Sequence, residues 1–263
     1  MNQGNILYTV KSGVGIITIN RPEKANAFDF NLLEELYNSL IEADTDKKIK
    51  CILLKSTGER IFSAGFDLSS SGLGSAEYSS KIFELGGRIS QTMVLMKKPI
   101  IVQVQGSAIG FGFILIMASD LKIFANKIID EMYFKMPEIA LRGYPRAGGV
   151  VLPLLAFGIN YAKKILLTAD KFGLDDLINF NFPTRVFPSD RLELETWNFV
   201  KKFSKHPFHI SSLIKSALTM MDKNIIKGCF ELEDLYAKVA QEKKSKDEID
   251  SFIQSVYNGN SKR

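Results

Sequence analysis

Two short glycine-bearing segments, each placed directly after a predicted buried strand, have the composition of an anion-binding site. Residues 62–68 read FSAGFDL, and residues 106–112 read GSAIGFG before an apolar run that predicts a helix over residues 113–118. Small residues let a ligand approach the backbone closely, and the N–H groups at the start of a helix have no partner inside it and lie at the positive end of its dipole. Such groups can hold an anion or a developing oxyanion, although the same glycines could serve only tight turns and close packing.

Glu138 is the carboxylate best suited to move a proton. It lies between Pro137 and Ile139, and a glycine-rich turn over residues 143–149 follows it. A glutamate in apolar surroundings has a raised pKa, which is the condition for a general base near neutral pH. The residue types therefore favour Glu138 as a candidate base, with an ordinary solvated turn glutamate as the alternative.

Other classes of catalytic site lack their residues. The two histidines, His206 and His209, fall in a predicted helical tail, and the chain has no GxSxG elbow, so a serine triad is not predicted. Two histidines three residues apart on a helix could ligate a metal. A structural role on the surface or in the core fits this pair better, and no metal site is predicted. Neither glycine segment has the GxGxxG or GxxxxGKS/T pattern of a nucleotide-binding loop.

Composition narrows the cellular setting and the partners. Cys51 and Cys229 form no disulfide framework, and the N-terminal residues lack a signal-peptide pattern, which together predict a cytoplasmic protein. A hydrophobic content of 46% in 263 residues is enough for a sizeable core. The net charge of +5 comes with short lysine groups on predicted helices. This indicates solvated helix faces, suits a ligand that carries phosphates, and does not favour nucleic-acid binding.

The elements that must position the candidate residues follow from hydrophobic periodicity. A β-hairpin is predicted over residues 6–10 and 14–19, and a helix begins after Asp29 as its N-cap. Continuous apolar runs predict buried strands over residues 51–54, 100–104 and 121–124. Strands alternate with helices up to about residue 167, which favours parallel pairing and an α/β architecture.

The second half of the chain is predicted to be mostly helical. Helical periodicity is found over residues 192–203, 210–221, 230–239 and 249–256. The serine- and glycine-rich residues 69–75 predict a loop. The uncharged residues 99–119 are long enough to cross a bilayer, but their glutamines and glycines favour a strand, a glycine turn and a buried helix. No membrane span is predicted.

Five stretches in order and at the right spacing resemble the crotonase (enoyl-CoA hydratase/isomerase) superfamily. They are residues 19–27, 62–68, 98–112, 137–149 and 186–188. The resemblance implies the ClpP/crotonase fold, a spiral of ββα repeats over residues 1–200, followed by a helical trimerisation region over residues 201–263. It also implies an acyl-CoA thioester as ligand, with coenzyme A part of the substrate and no separate cofactor. A homotrimer, or a hexamer made of two trimers, is the expected assembly.

The resemblance also assigns roles to residues of this chain. The oxyanion-hole N–H groups would belong to Phe66 and Phe111, and Glu138 would be the base. Other residues would bind substrate along the coenzyme A path, near the adenine and pantetheine, or around the thioester: Lys24, Ala25, Ala27, Ala64, Gly65, Asp67, Leu68, Gly110, Ile114 and Arg146.

Three positions depart from patterns found in the superfamily. Phe111 stands where three consecutive glycines are common, so its side chain must point away from the thioester. Ile114 stands where hydratases carry a second glutamate. With Glu138 as its only glutamate at these two positions, the chain resembles the mitochondrial-type enoyl-CoA isomerases, which move a double bond from C3 to C2. Arg146 replaces an aspartate of dienoyl-CoA isomerases and 3-hydroxyisobutyryl-CoA hydrolases, and it could pair with Glu138 or with an acidic substrate group.

Three functions follow from these departures. An enoyl-CoA isomerase with Glu138 as base is the leading interpretation. The second is another crotonase-type reaction, such as hydration, hydrolysis or decarboxylation, assisted by Arg146 or Tyr144. The third is a catalytically inactive protein that binds coenzyme A or acts as a scaffold, which Phe111 and Ile114 would favour.

Overall fold

The computed structural model describes residues 4–67 and 76–241. Nine strands lie in this part of the chain: β1 (Ile6–Lys11), β2 (Val14–Ile19), β3 (Cys51–Ser56), β4 (Ile61–Ser63), β5 (Ile100–Val104), β6 (Ser107–Ile109), β7 (Leu121–Asn126), β8 (Phe134–Lys135) and β9 (Arg185–Pro188). The α-helices of the same residues are α1 (Phe30–Thr45), α2 (Ala76–Leu95), α3 (Phe111–Ala118), α4 (Val151–Thr168), α5 (Leu174–Asn179), α6 (Leu192–Phe203) and α7 (Phe208–Gln241).

The strands form two sheets, and from β3 onward successive strands alternate between them. The larger sheet has the order β1-β2-β3-β5-β7-β9 and is parallel except for the hairpin β1-β2, whereas the smaller sheet has the parallel order β4-β6-β8. The chain therefore repeats one unit three times: a strand in the large sheet, a strand in the small sheet, then a helix, as in β3-β4-α2, β5-β6-α3 and β7-β8-α4. This is the predicted crotonase spiral of ββα repeats.

Local sequence explains where these elements begin and turn. Ser12 and Gly13 adopt positive φ angles of 54° and 76°, which is the backbone of a tight hairpin turn. The Asp29 carboxylate accepts a hydrogen bond of 2.9 Å from the N–H of Leu32, which confirms Asp29 as the N-cap of α1. The strands β3 and β5 are almost completely buried because helices or sheets cover both of their faces.

Most predicted elements are confirmed, and one prediction is wrong. The residues 99–119 form the strand β5, the short strand β6 where only a glycine turn was predicted, and the buried helix α3, which begins at residue 111 instead of 113. The segments 210–221 and 230–239 are not separate helices: both belong to the continuous helix α7, which runs through Gly228 between them. The predicted loop 69–75 and the predicted helix 249–256 lie outside the described residues. The division at residue 200 falls inside α6 and stays a prediction.

By length and composition, one helix in the described part of the chain, α4, could cross a membrane, although a soluble protein's core helix meets the same criteria. Its backbone is interrupted at Gly158, whose φ of 74° and ψ of 169° are not helical. Several apolar side chains of this helix are exposed, among them Leu155, Ile159 and Leu167.

Candidate active site

The small sheet brings the two glycine-bearing segments into contact. The strands β4 and β6 are parallel neighbours, so the chain leaves both at the same edge. A Cβ atom built on Gly65 would lie 2.7 Å from the carbonyl oxygen of Ile109 and 3.1 Å from the backbone nitrogen of Phe111. Since real Cβ atoms do not approach this closely, and since Gly65 has a φ of 86°, only glycine fits here. The sequence prediction that both segments build one site is therefore geometrically consistent.

The backbone N–H groups of Phe66 and Phe111 are both available to a ligand. Phe28 donates to the carbonyl of Gly65, and Asp67 donates to the carbonyl of Phe28, so the N–H of Phe66 between them takes no part in this bridge. Phe111 is the first residue of α3, where an N–H has no partner inside the helix. Within residues 4–67 and 76–241, no acceptor is found for either group.

The Phe111 side chain points into the core. Its ring stacks on the Phe66 ring at a centroid distance of 4.5 Å and packs edge-on against Phe28 at 5.3 Å. The two stacked rings lie over Gly86 of α2, where a built Cβ would be 2.7 Å from Phe66 and 3.3 Å from Phe111. Phe111 is only 1% exposed. The bulky residue at this unusual position is therefore accommodated away from the backbone N–H groups.

Glu138 lies next to the start of α3. A Cβ built on Gly110, the residue before Phe111, would be 3.4 Å from the Glu138 Oε1 atom. The other carboxylate oxygen, Oε2, is buried and has no hydrogen-bond partner among the described residues. Burial raises the pKa of Glu138 from 4.5 to about 7, and the nearby charge of Glu233 adds to this. Glu138 thus has the position and the proton affinity that a base near neutral pH requires.

The turn that carries Glu138 is held by its own backbone. The Glu138 carbonyl accepts hydrogen bonds from Gly143 at 2.8 Å and from Leu141 at 3.1 Å. Ile114 is the fourth residue of α3 and is 1% exposed. The position at which a hydratase-like second carboxylate was considered is therefore a buried apolar residue.

The residues expected along the coenzyme A path are partly brought together. The N–H of Ala64 donates to the carbonyl of Ala25 at 3.0 Å, and Ala27 is buried beside them. Arg21 links this stretch to the next, because its Nη1 atom donates to the Ala27 carbonyl and to the Asp67 carboxylate, each at 2.8 Å.

Two further expected residues bear on the same path. Lys24 is exposed at the edge of this group. Leu68, which the sequence also predicted here, lies outside the described residues. The substrate-binding roles of this set stay predictions.

Comparison with known proteins agrees with this geometry. The sequence profile of the enoyl-CoA hydratase/isomerase family matches residues 9–257. The chain belongs to this family. It is 27% identical over 192 residues to a short-chain-enoyl-CoA hydratase from Clostridium acetobutylicum, covering 73% of this chain and 72% of the relative. It is 26% identical over 239 residues to a trans-2-decenoyl-[acyl-carrier-protein] isomerase from Streptococcus mutans, covering 89% and 88%.

Solved structures show the same fold. An enoyl-CoA hydratase/isomerase from Xanthobacter autotrophicus superposes with a TM-score of 0.82 at 23% identity, over 97% of this chain and 94% of that one. A probable enoyl-CoA hydratase from Mycobacterium thermoresistibile gives a TM-score of 0.76 at 27% identity, over 91% and 99%. The relatives carry both hydratase and isomerase names, so membership of the enoyl-CoA hydratase/isomerase family leaves the reaction to be argued from the site.

Arg146 does not pair with Glu138, which corrects one of the two pairings considered from the sequence. Its Nε and Nη2 atoms both donate to the Oδ1 atom of Asp234 on α7, at 3.0 and 2.7 Å. Its guanidinium also lies 5.0 Å from the centre of the Phe83 ring. The sequence could not show this pairing, because it joins residues 88 positions apart in a tail that carries no sharp motif. A contact between Arg146 and substrate stays a prediction.

Tyr144 is also engaged by α7. Its ring stacks on Tyr236 at a centroid distance of 5.8 Å, and burial together with the charge of Glu233 raises its pKa to about 12. A phenol with this pKa stays protonated at neutral pH, so Tyr144 is unsuited to act as a base.

Sequence reasoning missed Glu233, a buried carboxylate of α7. It is 3% exposed and accepts hydrogen bonds from the N–H groups of Gly148, Val150 and Val151 at 2.8, 2.9 and 3.0 Å. A signal was present: helical periodicity places residue 233 on the same face as the apolar residues 230 and 237. A carboxylate inside such an apolar stripe is unusual and requires polar partners.

Proposed function

We propose that this family member is an enoyl-CoA isomerase that moves a double bond from C3 to C2 of an acyl-CoA thioester, with Glu138 as its single base. The observation that carries this proposal is the placement of one partly buried carboxylate with a raised pKa, whose Oε2 atom is buried, near two unpartnered N–H groups. Isomerisation requires one group that removes and returns a proton, and it requires stabilisation of the enolate between the two steps.

The proposed reaction runs in two proton transfers. The Glu138 carboxylate removes a proton from C2, and the electron pair moves onto the thioester oxygen to form an enolate. The N–H groups of Phe66 and Phe111 donate to that oxygen, and the loss of one such donor typically costs about 2.7–4 kcal/mol of transition-state stabilisation. The Glu138 carboxylic acid then returns a proton to C4, which leaves the double bond between C2 and C3 and regenerates the base. Coenzyme A enters and leaves as part of the substrate.

The surroundings of Glu138 support isomerisation over addition of water. A hydratase of the two-glutamate kind uses a second carboxylate to hold the water, and Ile114 cannot do this. Glu233 cannot replace it, because both of its oxygens already accept backbone hydrogen bonds and the side chain is 3% exposed. An apolar residue at position 114 also excludes water from the reacting alkene.

The test is a direct assay of the wild-type protein with a 3-enoyl-CoA thioester. Formation of the conjugated 2-enoyl thioester is followed by ultraviolet absorbance. The variant Glu138→Gln keeps the shape of the side chain but has no basic oxygen, and we expect its kcat to fall by at least about a hundredfold, the contribution typical of general acid–base catalysis. Full activity of Glu138→Gln would remove Glu138 from the mechanism.

Hydration is the second candidate, because the relative from Clostridium acetobutylicum is named a hydratase. Mass spectrometry of products separates the two, since hydration adds the mass of one water and isomerisation leaves the mass unchanged. A panel of acyl-CoA thioesters in the same experiment covers hydrolysis and decarboxylation. Tight binding of coenzyme A without turnover of any thioester would instead support an inactive binding protein.

We also propose that the protein assembles as a homotrimer or as a hexamer of two trimers. Two surfaces support a protein–protein interface: exposed apolar side chains of α4 and α7, and a cavity of about 330 Å³ between α4 and the turn after Glu138. The exposed apolar residues are Ile139, Leu141, Leu155, Ile159, Leu167, Ile210, Leu213, Ile214 and Leu218. Exposed apolar surface of this extent favours burial against another subunit.

A further inference from the structure

The helix α7 reaches the turn that follows Glu138 through several side chains of one face. The Glu233 carboxylate accepts hydrogen bonds from three backbone N–H groups that lie close together in the sequence, those of residues 148, 150 and 151. Asp234 holds Arg146, and Phe230 packs on Gly148, where a built Cβ would lie 2.9 Å from its ring. Together these contacts fix the segment that leads from the base into α4.

The Glu233 carboxylate lies at the N-terminus of α4, where it complements the helix dipole. The first N–H groups of α4 have no partner inside the helix, and the residue before it, Val150, provides no side-chain cap. A carboxylate at this position satisfies those donors and is stabilised by the positive end of the dipole. Burial nevertheless raises the pKa of Glu233 to about 7, against the lowering effect of its three N–H donors.

We propose that Glu233 is a positioning residue: its buried carboxylate ties α7 to the first turn of α4 and so fixes the turn that follows Glu138. The inference deepens the proposed function, on which its kinetic readout rests. The hydrogen bonds set the position of the turn. Where Glu233 is ionised, its charge also raises the pKa of Glu138, so the two carboxyl groups titrate as a coupled pair.

Other ionisable groups face the same region and must be kept constant in a test. Ser90 of α2 also contacts this turn, where its hydroxyl donates to the carbonyl of Ala147 at 2.7 Å, but it carries no charge. The ionisable groups around Glu138 and Glu233 are Tyr144 and Arg146 from the turn and Cys229, Asp234 and Tyr236 from α7. None of them is changed by a substitution at position 233, which makes this position a clean site for the experiment.

The experiment compares Glu233→Gln, which removes the charge, with Glu233→Asp, which keeps it on a shorter side chain. Glu231→Gln is the matched control, since it removes a charge from an exposed position of the same helix. In Glu233→Gln we expect the acid limb of the kcat/KM profile to move to lower pH by roughly half to one unit, the size expected for one partly screened charge. We expect no such movement in Glu233→Asp or in Glu231→Gln.

A second measurement does not depend on activity. The carboxyl band of protonated Glu138, identified by its loss in Glu138→Gln, is titrated by infrared difference spectroscopy in the wild type and in Glu233→Gln. We expect the titration midpoint to fall in Glu233→Gln. If the wild type does not isomerise 3-enoyl-CoA, the proposed function fails while this titration still decides the role of Glu233.

Hydrogen exchange tests the positional part in a variant that retains the charge. The amides of Gly148, Val150 and Val151 are expected to exchange at least about tenfold faster in Glu233→Asp than in the wild type, because the shorter carboxylate cannot reach all three donors. Unchanged exchange of these amides would refute the anchoring role. A Glu138 titration and an acid limb that are the same in Glu233→Gln and wild type would overturn the electrostatic role, whatever the rate.

Discussion

Replacing Glu138 with glutamine is expected to stabilise the protein more at alkaline than at acidic pH. The folded protein raises the pKa of Glu138 from 4.5 to about 7. A carboxyl group with a raised pKa binds a proton more tightly in the folded than in the unfolded state, so the wild type loses stability as pH rises from about 4.5 to about 7. Glutamine carries no charge at any pH, and Glu138→Gln therefore avoids this loss.

The magnitude follows from the size of the pKa shift. Each unit is worth about 1.4 kcal/mol, so the gain of Glu138→Gln over the wild type should grow by about 2–3 kcal/mol between about pH 5 and about pH 8. Any pH-independent cost of burying the amide cancels in this comparison. The site would thus carry its base at a cost in stability, as is common for catalytic groups held away from water.

Urea unfolding followed by circular dichroism measures this difference directly. Wild type, Glu138→Gln and the exposed-charge control Glu231→Gln are unfolded at both pH values and at one protein concentration, because association would otherwise change the apparent stability. If Glu138→Gln gains no more between the two pH values than Glu231→Gln does, the carboxyl is not desolvated in the folded protein. The argument for Glu138 as a base near neutral pH would then lose its physical ground.

Two further outcomes test the backbone site and the assembly. Gly65→Ala should lower kcat/KM by at least about a hundredfold, the size typical of losing one oxyanion donor. The new Cβ would displace the backbone of Ile109 and Phe111, and the φ of 86° at Gly65 is strained for alanine. Wild-type kinetics of this variant would contradict the proposed oxyanion hole. Ile159→Asp should convert a trimer into monomers, since it places a charge on the exposed apolar face of α4. Analytical ultracentrifugation measures the assembly, and a variant that still sediments as a trimer would exclude this face from the interface.

Hydrophobic pattern predicted the central strands of the large sheet well, because these strands are short, continuous and buried on both sides. Strands of this kind, such as β3 and β5, leave a run of apolar residues that no exposed element would have. The very short strand β8 left no such run, since a strand of two residues is defined by its pairing with β6 and not by its own composition. The undivided helix α7 was also missed, because the apolar pattern weakens between its two apolar stretches, where Gly228 lies, although the helix continues through this glycine.

Some features of the candidate site are visible in short stretches of sequence, whereas others depend on contacts between distant residues. Its glycine segments and Glu138 are local patterns that the sequence marks as candidates, and the structure brings them close together. The pairing of Arg146 with Asp234 and the capping of α4 by Glu233 connect α7 to a turn more than 80 residues earlier. Such contacts depend on how a long helix packs on the core, which a periodicity of 3.6 residues does not encode.

Phe111 shows why a departure from a family pattern must be considered together with its neighbours. A large residue in a loop that is commonly glycine-rich would obstruct the thioester if its ring pointed toward the ligand. Here the ring stacks on Phe66, which directly follows Gly65 in the other glycine segment, and both rings occupy the space above Gly86. The missing side chain on α2 supplies the volume that the extra side chain on α3 requires. A larger residue at position 86 would push the two aromatic rings, and with them the two N–H groups, out of place. The departure at Phe111 and the glycine at position 86 are therefore one structural feature, and both N–H groups depend on it.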